Sequence, residues 1–169
     1  MEDNFNDFPP FLPLGQDQFP AKDFIGTSVE NKWTPTISFA TPGDLSIIYL
    51  NQAGSSLVIG TWVIAPFFVS TAIGGFTHST ASGNLQIGGL PYLSKNETLQ
   101  RPGMGLQRWQ GITKAGFTDA GTLVNPNSRV ALVIMSGSGQ DPLTITAADM
   151  PSGGNVAFVG ILIYERAGP

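Results

Sequence analysis

Cysteine is absent from this sequence, which rules out a disulfide framework, a thiolate metal site and a cysteine nucleophile. Histidine occurs once, as His78 in the run Thr77-His78-Ser79-Thr80. A Ser-His-Asp triad would have to use it, and no G-x-S-x-G elbow accompanies it. With one imidazole and no thiol, a transition-metal centre lacks ligands, and neither metal nor cofactor is expected. His78 therefore reads as a turn residue bonded within its own loop. Charge is also scarce: Asp, Glu, Lys and Arg make up 12% of the chain, about half the usual ~25%. No apolar run approaches the ~20 residues that span a bilayer, so membrane insertion is not expected. The opening MEDNFNDFPP is acidic and lacks the basic-then-apolar pattern of a secretory signal. Arg101, Arg108, Lys114 and Arg129 form no run with aromatics in a chain of net charge −4, which argues against a nucleic-acid partner.

What the sequence has in quantity is turn formers, with 21 glycines and 13 prolines among 169 residues. That length suits one domain with a real core, and that composition suits an all-β one. Short β-branched and aromatic runs recur at sandwich spacing, and we read strands over residues 36–40, 45–50, 56–60, 61–71, 84–88, 105–112, 128–136, 143–147 and 155–165. Turn signals separate them, among them Thr41-Pro42-Gly43-Asp44, Asn51-Gln52-Ala53-Gly54, Gly74-Gly75 and Asn125-Pro126-Asn127. One short helical turn fits within residues 146–150. The pattern predicts two packed antiparallel sheets, a jelly-roll-like β-sandwich, over residues 32–169.

Residues 1–31 form a different segment. They hold six acids and one base (Lys22), about −5, against about +1 for residues 32–169. Prolines at 9, 10, 13 and 20 favour extended polyproline II, whose three-residue turn aligns Phe5, Phe8, Phe11 and Leu14 along one edge. Such an edge wants a groove, so the segment reads as an attachment arm carried by Phe5, Phe8, Pro9, Pro10, Phe11 and Phe19.

Two strands are apolar on both faces, Arg129 to Met135 and Val156 to Tyr164. In a lone antiparallel sandwich one face meets water and reads polar. A second apolar face must be covered, and Val130, Leu132, Ile134, Val156, Phe158 and Leu162 are the candidates for a subunit interface or an arm contact. The longest loop, residues 93–104, mixes Lys95, Asn96 and Arg101 and leads into Arg108 and Trp109. Polar side chains beside one aromatic suit weak contact with a host-surface glycan. Asp44, Glu97, Asp119, Asp141, Asp149 and Glu165 stand singly, and glycoside hydrolysis needs two carboxyls facing across a cleft. An enzyme is not expected; a small polysaccharide-degrading head is the alternative.

The string FTHSTASGNLQIGGLPY, residues 76–92, resembles a segment of the receptor-binding tips of bacteriophage tail fibres and similar virion appendages. Trp33-Thr34-Pro35-Thr36 with Phe39, and Tyr49 followed by Gln52, Gly54, Ile59 and Gly60, resemble the start and first hairpin of such heads. The likeness covers about residues 32–93; Leu57 and Val58 replace the usual aromatic before Ile-Gly, and the C-terminal part carries no matching motif. The resemblance implies a compact β-sandwich head that assembles as a homotrimer in the virion, joined to phage capsid or tail proteins. Lacking a shaft repeat, the chain fits a capsid decoration or head-fibre knob better than a distal tail-fibre tip.

Overall fold

The computed structural model describes residues 31–97 and 105–168. The proposed arm, Phe5, Phe8, Pro9, Pro10, Phe11 and Phe19 included, lies outside them, as does Arg101. The described residues form ten strands: β1 (Asn31–Trp33), β2 (Thr36–Thr41), β3 (Ser46–Ile59), β4 (Trp62–Thr77), β5 (Ser82–Gly88), β6 (Leu106–Gln110), β7 (Asp119–Val124), β8 (Ala131–Gly137), β9 (Gln140–Thr144) and β10 (Ala157–Glu165). One 3₁₀ turn, Ala147–Asp149, sits where a short helical turn was expected. The Asp149 carboxylate closes it by accepting from the Thr146 N–H and hydroxyl, both at 2.9 Å. Among the described residues no helix is long and apolar enough to cross a membrane.

All strand pairs are antiparallel, in two five-stranded sheets. The first runs β1-β3-β4-β10-β6, and the second runs β2-β5-β8-β7, with β9 also against β8. Along β4, Val63, Ala65, Phe67 and Val69 are buried while Trp62, Ile64, Pro66 and Phe68 are less so, the period of two of a strand with one face inward. Their partners Phe158, Leu162 and Tyr164 on β10 complete that side of the core, and Ile37, Phe39, Leu85, Ile87, Val133 and Met135 face them from the second sheet.

The long β3–β4 hairpin differs from the expectation of separate short strands. Asn51 to Gly54, expected as a turn, lies inside β3 and pairs with Ser70, Val69, Phe68 and Phe67 of β4. Turn formers are tolerated there because side chains elsewhere use them. Asn51 Nδ2 donates to Ser70 Oγ at 3.0 Å, Gln52 Nε2 donates to the Pro35 carbonyl at 3.0 Å, and the Trp33 indole lies across Gly54, donating to Ser55 O at 3.0 Å. The actual turn is Gly60-Thr61, where only Gly60 has positive φ (+62°), the requirement of a type II′ hairpin.

Gly74-Gly75 is not a turn between strands either. Between the pairs Ile47↔Phe76 and Tyr49↔Thr71 the register slips, and β4 extrudes a bulge through Ala72 to Gly75 against the single residue Ile48. Strands β1 and β7 were not foreseen. In β7 the sequence DAGTLV holds few strong β-formers, and its state is set by pairing with β8 from Asp119↔Ser136 to Val124↔Ala131.

Candidate functional site

The outer face of the first sheet is a broad apolar surface among the described residues. Its three central strands turn Leu57, Ile64, Pro66, Phe68, Ile161 and Ile163 away from the core, all at least partly exposed, and charge enters this face at its margins, at Lys32, Arg108 and Glu165. One end is closed by Ile59 (49% exposed) and Trp62 (43%); at the other lie Ile48, Leu50 and the bulge residue Ile73, which is 94% exposed. Between them opens a hollow of about 650 Å³ with lining from all five strands, including Lys32, Ser55, Pro66, Phe68, Gln107 and Ile161. Pro66 helps to make it. The β3–β4 ladder passes from Gly54↔Phe67 to Leu57↔Ile64 without a rung at Pro66, which has no N–H to donate.

The second sheet's outer face is mixed. Leu132 lies between Gln86 and Leu123, and Ile134 between Gly121 and Thr144. Val130, Leu132 and Ile134 do point outward and are half-buried, as an interface candidate must be. For Val156, Phe158 and Leu162 the expectation is corrected: they are buried to within 1% in the chain's own core. The outward residues of β10 are the alternate set, Val159, Ile161 and Ile163.

The suggested host-contact residues that are described, Lys95, Asn96, Arg108 and Trp109, do not converge. Lys95 and exposed Asn96 sit at the Glu165 end of β10, where the Lys95 N–H donates to the Glu165 carbonyl at 2.8 Å. Arg108 pairs opposite Val159, six residues back along β10; at ~3.3 Å per residue that is about 20 Å away. Arg108 is exposed beside Asn51, Ser70 and Asn155, whereas Trp109 opposes Phe158 and packs on the core. Lys95 is instead an ion-pair hub, with Nζ at 2.7 Å from Glu97 Oε1 and 3.3 Å from Glu165 Oε1, and these two carboxylates, Glu97's first, raise its pKa.

The carboxylates of the described residues are largely occupied by such structural contacts. Asp44 accepts from the N–H and hydroxyl of both Ser79 and Thr80 at 2.6 to 3.0 Å, tying the β2–β3 turn to the β4–β5 turn. Those bonds, the Ser79 hydroxyl's above all, hold its pKa far below the usual carboxylate range. At Asp149 burial pushes the pKa up, but bonds from Thr146 and the Lys114 ammonium at 3.0 Å outweigh it and the net shift is downward. Tyr164 is the most shifted phenol: burial first of all pushes its hydroxyl up to about 12, while it donates to Tyr92 O at 3.1 Å.

His78 is not bonded within its own loop. Its ring packs on Phe39 and Phe76 at 5.2 and 5.4 Å, and Nε2 lies 2.8 Å from the Met150 carbonyl, which only accepts, so Nε2 carries the proton. The imidazole thus pins the β4–β5 turn to the segment before β10. No group of three or more His, Asp or Glu poised to hold a metal occurs among the described residues.

Fold and surface together define an all-β antiparallel sandwich with one strongly apolar sheet face. No family model and no curated protein sequence matches the chain. Among solved structures its fold is similar to part of the Dettilon tailspike protein (gp208), with TM-score 0.53 and 18% identity over 80% of this chain and 24% of the tailspike. The chain therefore spans about a quarter of that protein's length, and the likeness is one of fold, of the kind found in a phage tail appendage.

Proposed function

We propose that this chain is a structural component of a phage virion, a β-sandwich head displayed as a homotrimer and held to the particle through residues 1–31. The observation that carries this reading is the fold likeness to a tailspike over 80% of the chain, which joins the tail-fibre resemblance of residues 32–93. The apolar outer face supports assembly, since monomeric proteins rarely leave a patch of that size bare. A non-catalytic role agrees with carboxylates engaged in ion pairs and turn clasps, as at Asp44, Asp149 and the Glu97–Lys95–Glu165 cluster. The attachment role falls to residues 1–31 in this reading because a sequence rich in proline and phenylalanine combines apolar side chains with a low entropy cost on docking. The test is to delete residues 1–25 and compare incorporation into particles. The truncated head should fold and fail to join virions; equal decoration by the truncated and full chains would remove the arm from that role.

A further inference from the structure

We propose that the outer face of the β1-β3-β4-β10-β6 sheet is where copies of this chain meet, with Ile64, Pro66, Phe68, Ile161 and Ile163 at the centre of the contact. This rests on the proposed trimer for its premise of more than one copy, and adds which surface joins them. The size fits. Nine residue pairs of β4 and β10, with β3 and the shorter β1 and β6 alongside, cover roughly 600 Å² in projection at ~3.3 Å per residue and ~4.8 Å per strand. Side-chain relief brings this to the order of the ~800 Å² per partner of a stable interface.

The chemistry fits a second copy better than a charged partner. The central strands present aliphatic and aromatic side chains without charge, and the charges come at the margins, Lys32 on β1, Arg108 on β6 and Glu165 at the end of β10. An apolar centre with a polar rim is the anatomy of a protein interface. The same face also carries a recess, the 650 Å³ hollow around Pro66. The second sheet is the weaker candidate because Gln86, Thr144 and Gly121 break up its apolar row.

The test compares the full chain with Ile64→Asp and Ile161→Asp by light scattering, with circular dichroism to check folding. Both variants should fall from trimer to monomer mass with the β spectrum kept, and Leu132→Asp on the other sheet should remain assembled. Because the chain has no cysteine, Ala53→Cys gives a second readout that does not depend on disrupting the contact. A short bismaleimide should join Ala53→Cys chains to each other, and should not join Ser38→Cys chains, whose cysteine lies on the second sheet. A folded Ile161→Asp variant that stays trimeric, or crosslinking at position 38 instead of 53, overturns the face assignment and leaves the trimer standing. A monomeric wild-type chain at micromolar concentration removes the trimer as well, and dye binding that appears only after removal of residues 1–25 would give the face to the arm.

Discussion

Trp33 and Gly54 show how closely single residues are matched here. The indole of Trp33 lies over the Gly54 backbone so tightly that a Cβ at position 54 would sit 2.5 Å from its nitrogen, and the ring also packs against Phe67, the ladder partner of Gly54, at a centroid distance of 6.0 Å. Gly54→Ala should therefore cost about 1–3 kcal/mol in a urea melt, as overpacking does; an unchanged midpoint would mean that the indole moves freely. Asp44 works through charge instead of volume. Its folded-state pKa is depressed, so its contribution is complete above the unfolded value of ~3.9 and is lost as pH falls toward the folded one. Asp44→Asn should melt at a lower temperature than wild type at pH 7, and the gap should close on acidification below about pH 4. A gap that stays constant to pH 2 would show that the clasp does not depend on ionisation.

At the scale of strands, legibility followed how much of a strand's identity its own residues carry. The run Trp62 to Val69 is dense in β-formers and was readable as a strand, though one buried on both faces was expected and Trp62 and Pro66 prove exposed; Ile37 and Phe39 of β2 and Leu85 and Ile87 of β5 lie in strands that were read and are core. Asn51 to Gly54 was misread because its turn-forming side chains are engaged by Ser70, Pro35 and Trp33, partners distant in sequence. On β10 the strand itself was plain but its phase was not. A strand apolar at every position reads the same in either phase, and only the placement of Phe158 and Leu162 against the second sheet decides that Val159, Ile161 and Ile163 face out. The same phase logic divides β6. Arg108→Ala should change stability by no more than about 0.5 kcal/mol, whereas Trp109→Ala, opposite Phe158, should cost about 1–3 kcal/mol. Denaturation of the two single variants checks this, and a double variant alone would confuse loss of folding with loss of a surface contact.

Over the whole molecule, charge and apolar surface are divided between segments in a way that makes a prediction about kinetics. Residues 1–31 carry about −5 and residues 32–169 about +1, so a steering field of one sign belongs to the arm, while the sandwich offers a nearly neutral, apolar sheet face. If the arm is what finds the particle, encounter should be electrostatic and retention hydrophobic. Screening lengths shrink from ~30 Å at 0.01 M to ~3 Å at 1 M salt, so added salt should slow recruitment to head-stripped particles by about an order of magnitude or more while leaving departure little changed. Replacing Phe8 and Phe11 by alanine should do the reverse, leaving the association rate near wild type and speeding dissociation, because burial of each ring contributes ~1.5–3 kcal/mol before ordering costs. Three arms in one trimer would mask much of that loss through avidity, so the effect should be larger for the Ile161→Asp head if it is monomeric than for the assembled one. Surface plasmon resonance on immobilised particles measures both rates. Association that ignores salt and dissociation that ignores the phenylalanines would together place the attachment on the sandwich and not on the arm.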